Sequence, residues 1–196
     1  MERRRETPRL AGPRVTLTLA GPSEAAALAA FHDREWDHLV PWLPPRTPAW
    51  RTEAHWRRWG EETIDLFLDD RGVRLVLRLP DQPDAGVIGQ LNLNILVRGS
   101  FQAATLGYHM GAGHQGQGLM REALELAIGY AFGPLGLHRL MANHLPENTR
   151  SAGLLQRLGF IREGYAKDYL FIGGAWRDHV LTALTTPHPV DPPSIG

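Results

Sequence analysis

Cysteine is absent from all 196 residues. That excludes disulfides, thiolate-bound metal and a cysteine nucleophile, and it fits a reducing compartment. No apolar run approaches the roughly 20 residues that a membrane-crossing helix needs, and the opening MERRRETPRL lacks the apolar stretch of a signal peptide. A cytoplasmic protein with no membrane partner is the expectation. An excess of either charge sign is missing too. Lys plus Arg and Asp plus Glu both number 21, so no global basic field draws in nucleic acid, and direct nucleic-acid binding is not expected. Internal repeats are lacking. The histidines form no HExxH arrangement, and His32 with His38, like His138 with His144, has no supporting carboxylate pattern, so no metal site is expected.

What is present is enough for one ordinary domain: 43% of the chain is hydrophobic. Its expected extent is residues 13–186, preceded by a flexible N-terminal arm (1–12) carrying Arg3, Arg4 and Arg5 and followed by a Pro-rich tail (187–196). Val15 to Leu19 reads as a short strand and Ser23 as the N-cap of an Ala-rich helix running towards Trp36. Prolines at 41, 44, 45 and 48 then interrupt regular structure. Within that WLPPRTPAW segment, Trp42 and Trp50 are candidates to line an acceptor groove or to pack beneath the loop. A second helix is expected from about Thr52 to Leu68.

From Val73 the period becomes alternating. Val73, Leu75, Leu77 and Leu79 share one face, as do Leu91, Leu93, Ile95 and Val97, with Asn92 and Asn94 opposite; a third strand ends in TLGYHM, completing an antiparallel meander. Further on, Leu119, Ala123, Leu126 and Tyr130 form one apolar stripe and Met120, Leu124, Ile128 and Ala131 another, so this helix is buried over much of its circumference. A strand RLMANH, a helix from about Asn148 to Leu158 stopped by Gly159, and two strands around IGGAW complete the chain.

The meander runs straight into GAGHQGQGLMREA, four glycines in eight residues and then good helix formers. Glycine costs roughly 0.5 to 1 kcal/mol relative to alanine in regular structure, so such a cluster implies that bare backbone approaches something closely. At a helix N-terminus, with unpaired N–H groups and a partial positive charge, the expected guest is an anion such as phosphate. Gly111, Gly113 and Gly116 satisfy GxGxxG. A dinucleotide fold nevertheless fits badly, because the loop follows an antiparallel meander and the next strand ends in Asn143 and His144 where an acidic residue belongs. A Walker loop is excluded by the lack of Gly-Lys-Ser/Thr.

HQGQGLMREA, followed about 30 positions later by ENTRSAGLLQRLGFIREG, resembles the GNAT superfamily of acyl-CoA-dependent N-acetyltransferases, in the branch that acetylates the N-termini of ribosomal proteins. Gly116 and Gly118 match the family's Gln/Arg-x-x-Gly-x-Gly/Ala motif, whereas Gly113 departs at its first position; Asn148 and Ser151 match the branch's Asn-x-x-Ser. GVIGQLNL, VRGSF, LGYHM, RLMAN, EGYAKDYL and WRDHVLTALTTP extend the likeness from Gly86 to Pro187. The resemblance implies an α/β (α+β) GNAT fold: a mixed, mostly antiparallel sheet of about seven strands with four main helices. Its central strands, one ending at Met110 and the other RLMANH, would splay to make a cleft for acetyl-CoA.

The same resemblance implies site residues. Coenzyme contacts fall on Tyr108, His109, Met110, Gly113, His114, Gln115, Gly116, Gln117, Gly118, Leu119, Met120, Asn148, Ser151 and Leu155. Trp42, Asn92, Tyr165 and Tyr169 fall to the acceptor, and the two tyrosines are also alternative proton donors. A main-chain N–H near Met110 would polarise the thioester carbonyl. Ser151 would hydrogen-bond the leaving sulfur, and Asp168 would serve as base, directly or through water, unless it merely pairs with Lys167 or Arg162. His109 and His114 are read as packing or solvated groups, not as acid or base.

The implied acceptor is a protein N-terminus, the α-amine of an N-terminal alanine on a small-subunit ribosomal protein. Such an amine, with a pKa near 8, loses its proton at pH 7 for about 1 to 1.4 kcal/mol, against about 4.6 for a lysine, so only a modest base is needed. A small-molecule amine acetyltransferase and a non-catalytic coenzyme-A-binding ribosome-assembly factor share the coenzyme half and stay open. Monomer and homodimer both fit.

Overall fold

The computed structural model describes residues 6–186; the Pro-rich tail and Arg3, Arg4 and Arg5 lie outside the described residues. Eight strands form one sheet: β1 (Arg9–Ala11), β2 (Thr16–Leu19), β3 (Val73–Arg78), β4 (Gly89–Val97), β5 (Ala103–Met110), β6 (Arg139–His144), β7 (Ile161–Ile172) and β8 (Ala175–Thr185), in the order β1-β2-β3-β4-β5-β6-β8-β7. Every neighbouring pair is antiparallel except β5 and β6. Five α-helices accompany it: α1 (Ala25–Arg34), α2 (Trp36–Leu39), α3 (Glu53–Leu68), α4 (Leu119–Phe132) and α5 (Thr149–Arg157). Among the described residues no helix is long and apolar enough to cross a membrane.

The strand alternation distributes side chains to two cores. Leu17, Leu75, Leu77, Leu91 and Leu93 meet Ala123, Leu124 and Ala127 of α4 on one face of the sheet. Val76, one residue out of phase, joins Leu28, Phe31 and Trp56 of α1 and α3 on the other. Each fully buried side chain of this size contributes about 1.5 to 3 kcal/mol, so the two layers fix the sheet from both sides.

Three boundaries differ from the sequence reading. The arm expected over 1–12 includes a strand, because Arg9–Ala11 pairs with Thr16–Thr18 in β2 and supplies the eighth strand. Ser23 does not cap a helix through its side chain; Pro22 opens a 3-10 turn, Pro22–Glu24, that runs directly into α1. The proline-rich segment is not without local order, since Val40–Trp42 and Pro48–Arg51 are further 3-10 turns, and proline's fixed φ suits such openings. Thr52 does cap α3, accepting the His55 N–H.

A cleft between splayed strands

β5 and β6 pair only through Ala103, Ala104 and Thr105 against Arg139, Leu140 and Met141, then diverge. On its other side β5 stays in register with β4 as far as Met110 opposite Gly89, and Gly111 donates its N–H to Ile88 O. In an antiparallel ladder the bonding direction alternates. His109 and Gly107 therefore spend their main-chain groups on β4, while those of Tyr108 and Met110 point towards the gap β6 has left. A cavity of about 850 Å³ opens there, walled by β5, the glycine loop, α5 and the α2 region.

The loop at the mouth of this cavity is built to leave amides free. His114 N–H and Gln115 N–H close a 3-10 turn onto Gly111 O and Ala112 O. Beyond them, among the described residues, the N–H groups of Gly116, Gln117, Gly118, Leu119 and Met120 have no protein acceptor. Gly116 and Gly118 sit at φ +75° and +77°, left-handed geometry that L side chains resist, and no protein atom lies within 4 Å of where a Gly116 Cβ would stand. Five unpaired donors at the start of a helix make an anion cradle.

Two side chains that the sequence reading passed over hold the loop. Glu35, in the turn between α1 and α2, accepts Ala112 N–H at 2.9 Å, and a Cβ on Gly111 would fall 2.8 Å from its carboxylate. Burial pulls the Glu35 carboxyl upward, but the Ala112 N–H and the Arg34 guanidinium outweigh it, and the net position is below the usual range. Arg14 donates to Gln117 O and to Glu122, whose carboxylate also accepts the N–H groups of Arg14 and Val15. A cation thus stands beside the loop although Gly113 lacks the side chain the motif carries at that position. No local pattern signals either residue, since their partners are 77 and more than 100 positions away.

Across the cleft, α5 begins with Asn148 accepting the Ser151 N–H through its side chain. That cap aims Ser151 at β5, where its hydroxyl and the Tyr108 hydroxyl are 2.7 Å apart. Burial raises the Tyr108 pKa, against a smaller opposing effect of the Ser151 bond, so the phenol keeps its proton. At the mouth, Gln115 links the two walls: its amide nitrogen is 2.8 Å from His38 Nε2, and its oxygen accepts from Arg150.

Tyr108, His109, Met110, His114, Gln115, Gly116, Gly118, Leu119, Met120, Asn148 and Ser151 all line the cavity, and so does Trp42. Gly113 and Gln117 do not; the Gln117 side chain folds back onto Gly113 O. Leu155 is buried in the main core, because the cleft face of α5 is spanned by Arg150, Ser151, Leu154 and Arg157, about 100° round the helix. Trp50 also packs away from the cleft, its carbonyl accepting Trp56 Nε1 and its ring against His32.

The remaining acceptor-side candidates are not on the cavity wall. Asn92 lies opposite Gly107, farther along the sheet, with its Oδ1 buried and unpartnered. Tyr165, Asp168 and Tyr169 belong to β7, the outermost strand, two strands away from β5 and β6's divergence. Tyr165 donates to Asp178, and Tyr169 O–H accepts from Asn143. Asp168 is exposed in a bulge of β7 at φ +49°, held by its N–H bond to Asp178 Oδ1. Asp178, which the sequence reading missed, organises that bulge, and the bonds from Asp168 N–H and Tyr165 O–H keep its carboxyl below the usual range.

Behind the cleft wall, Gln90 Oε1 lies 2.7 Å from His32 Nε2 and 3.0 Å from His109 Nε2. An amide oxygen only accepts, so both imidazoles donate from Nε2, and both have a pKa below the usual range, which keeps them neutral at pH 7. Burial is the main cause, and it pushes His32 down to about 4 and His109 to about 3.

The acetyltransferase (GNAT) domain family matches residues 14–161. The chain is 45% identical over 180 residues to the [ribosomal protein uS5]-alanine N-acetyltransferase of Escherichia coli (strain K12), covering 91% of each. Among solved structures it superposes with a TM-score of 0.87 on the ribosomal-protein-S5-alanine acetyltransferase of Vibrio fischeri, at 33% identity over 93% of this chain and 100% of that one. The Mycobacterium smegmatis RimJ in complex with CoA-disulfide gives a TM-score of 0.83 at 29% identity, over 94% and 90% of the two chains. The mixed eight-stranded sheet agrees with these structures, and the chain belongs to the GNAT acetyltransferases.

Proposed function

We propose that this protein transfers acetyl from acetyl-CoA to the α-amine of an N-terminal alanine on a ribosomal protein. The observation that carries the reading is the row of unpaired N–H groups from Gly116 to Met120 at the mouth of the β5–β6 cleft, in a chain 45% identical to an enzyme of that activity. Bound acetyl-CoA supplies the acyl group as a thioester. The cradle fits its diphosphate, which needs several donors and no bulky side chain. Tyr108 and Met110 offer main-chain groups along the gap, and a fixed N–H there stabilises charge developing on the carbonyl oxygen.

Ser151, backed by the protonated Tyr108, donates to the leaving sulfur. A serine hydroxyl is a weak acid, so the pair acts as a relay to a thiolate whose own pKa is about 8.5. His109 is no base at neutral pH, with a pKa of about 3. The acceptor amine gives its proton to water, which costs only about 1 to 1.4 kcal/mol at pH 7.

The test is acetyl transfer from labelled acetyl-CoA to two short peptides, one with a free N-terminal alanine and one N-blocked but carrying lysine. Label is expected on the first alone. Label on neither, or only on the lysine peptide, overturns the reading.

A further inference from the structure

The wall of the cleft carries positive charge that the amide cradle leaves unused. Among the described residues, the cavity lining includes three arginines, Arg121, Arg150 and Arg157, and no carboxylate. Arg121 directly follows the last amide of the cradle and is held by Glu125, one turn on along α4. Arg150 is tied to the Gln115 oxygen. Arg157 is different: among the described residues its side chain makes no hydrogen bond and no ion pair. It shares the cleft face of α5 with Arg150 and Leu154, at the i, i+4 and i+7 positions.

A missing side chain sets where that guanidinium lies. Gly153, one turn before Arg157, sits in the interior of α5, where glycine is a destabilising choice relative to alanine. A Cβ there would fall 3.3 Å from Arg157 Nη1, so the cation rests against bare backbone. Helical side chains lean towards the N-terminus, which carries the charge back along the cleft wall towards the turn that bears Ser151. All three arginines are exposed at the rim, whereas Ser151 marks the place of the reacting sulfur. Coenzyme A held with its sulfur at Ser151 and its diphosphate on the cradle has its nucleotide beyond, at that rim. The diphosphate already has five N–H donors. The 3′-phosphate on the ribose, a monoester with a charge of about −1.5 to −2 and three acceptor oxygens, is the group that a free guanidinium fork matches.

We propose that Arg157, assisted by Arg121 and Arg150, binds the 3′-phosphate of coenzyme A, and that Gly153 stays bare so that the guanidinium can lie along the cleft wall. The enzyme then distinguishes the full coenzyme from 3′-dephospho-coenzyme A. This rests on the reading of acetyl-CoA as the donor. The contact is remote from the thioester and equal in ground and transition states, so it acts on coenzyme affinity and not on the transfer step.

The experiment measures Kd by calorimetric titration with coenzyme A and with 3′-dephospho-coenzyme A. For the unaltered protein, coenzyme A is expected to bind at least about tenfold more tightly, and the ratio should shrink as salt is raised. Arg157→Gln should reduce the ratio to about two or three, chiefly by weakening coenzyme A, and Arg157→Lys should restore part of it by keeping charge without the fork. Gly153→Ala, a change that favours the helix itself, should also lower the ratio, because its methyl group displaces the guanidinium. Equal affinities for the two ligands in the unaltered protein overturn the inference without needing any variant to fold. So does an Arg157→Gln protein that loses affinity for both ligands by the same factor, since its cation would then serve the diphosphate or the fold. If neither ligand binds, the reading of acetyl-CoA as donor has failed and the inference falls with it, an outcome distinct from binding without discrimination.

Discussion

At the scale of single residues, the Ser151 and Tyr108 hydroxyls meet at 2.7 Å in the cleft, while Asp168, the other proposed catalytic group, lies off the cavity wall. Ser151 is fixed by its Asn148 cap and faces the gap between the splayed strands. Asp168 is exposed on the outer hairpin, where its N–H is already bound to Asp178. The two positions should therefore respond very differently. Ser151→Ala is expected to lower kcat by about 10- to 100-fold with little change in KM for acetyl-CoA, the loss of one donor to a developing charge. Asp168→Asn should change kcat by less than about threefold, since an α-amine near pKa 8 needs little help. Steady-state thiol release with an alanine peptide measures both; a collapse of kcat in Asp168→Asn would restore that carboxylate as the base. Asn148 and Ser151 are legible in the sequence through the Asn-x-x-Ser motif of the family the chain resembles. Their partner on β5 is not, being 43 positions away and defined only by how α5 crosses the sheet.

At the scale of elements, the glycine loop depends on backbone geometry more than on any side chain. A Gly118→Val change places a β-branched residue at φ +77°, where L residues are strained, and adds methyl groups next to the Arg14 guanidinium and the anion cradle. The expected result is a KM for acetyl-CoA raised by at least about tenfold with folding retained; calorimetric titration with coenzyme A checks it, and unchanged affinity would move the diphosphate elsewhere. This loop could be read from sequence because glycine clusters and helix formers are local signals. So could β3, β4, β5 and α4, whose periodicities decide their own faces. β1 could not: Arg9–Ala11 is three residues long, too short to show a period, and becomes a strand only because β2 offers a free edge. The capping of α1 was misjudged for a related reason, since Pro22 imposes a tight turn before Ser23 can act. Glu35 and Arg14 were invisible, because what they support is loop backbone far away in sequence.

For the whole molecule, the neutral His32–Gln90–His109 cluster makes stability depend on pH in a window set apart from the carboxylates. Both histidines are depressed by burial, His32 to about 4 and His109 to about 3, with the Gln90 bond opposing the shift at His32 and neighbouring positive charge adding to it at both. In the unfolded chain each titrates near 6.5. Below that value the unfolded state takes up protons that the folded state refuses. The stability contributed by keeping these rings neutral is thus complete above about pH 6.5, shrinks as pH falls, and is lost by the folded values of about 4 and about 3. Two such groups amount to several kcal/mol at pH 4, a large part of a typical domain's 5 to 15. Glu35 and Glu122 act lower down: burial raises both, but the N–H bonds and arginines they hold outweigh it, so their contribution begins to fail only below their ordinary value of 4.5. The urea midpoint should consequently fall steadily from pH 6.5 to about pH 5.5, above the range in which the carboxylates titrate. His109→Gln should lower stability at pH 7 and reduce the slope across that window, because one of the protons that the folded state refuses at His32, His109 and His55 is gone. A midpoint that stays level down to about pH 5.5 in the unaltered protein would mean that the imidazoles take up protons in the folded state, and that the cleft wall behind Tyr108 is wetter than its packing against Phe31 and Gln90 implies.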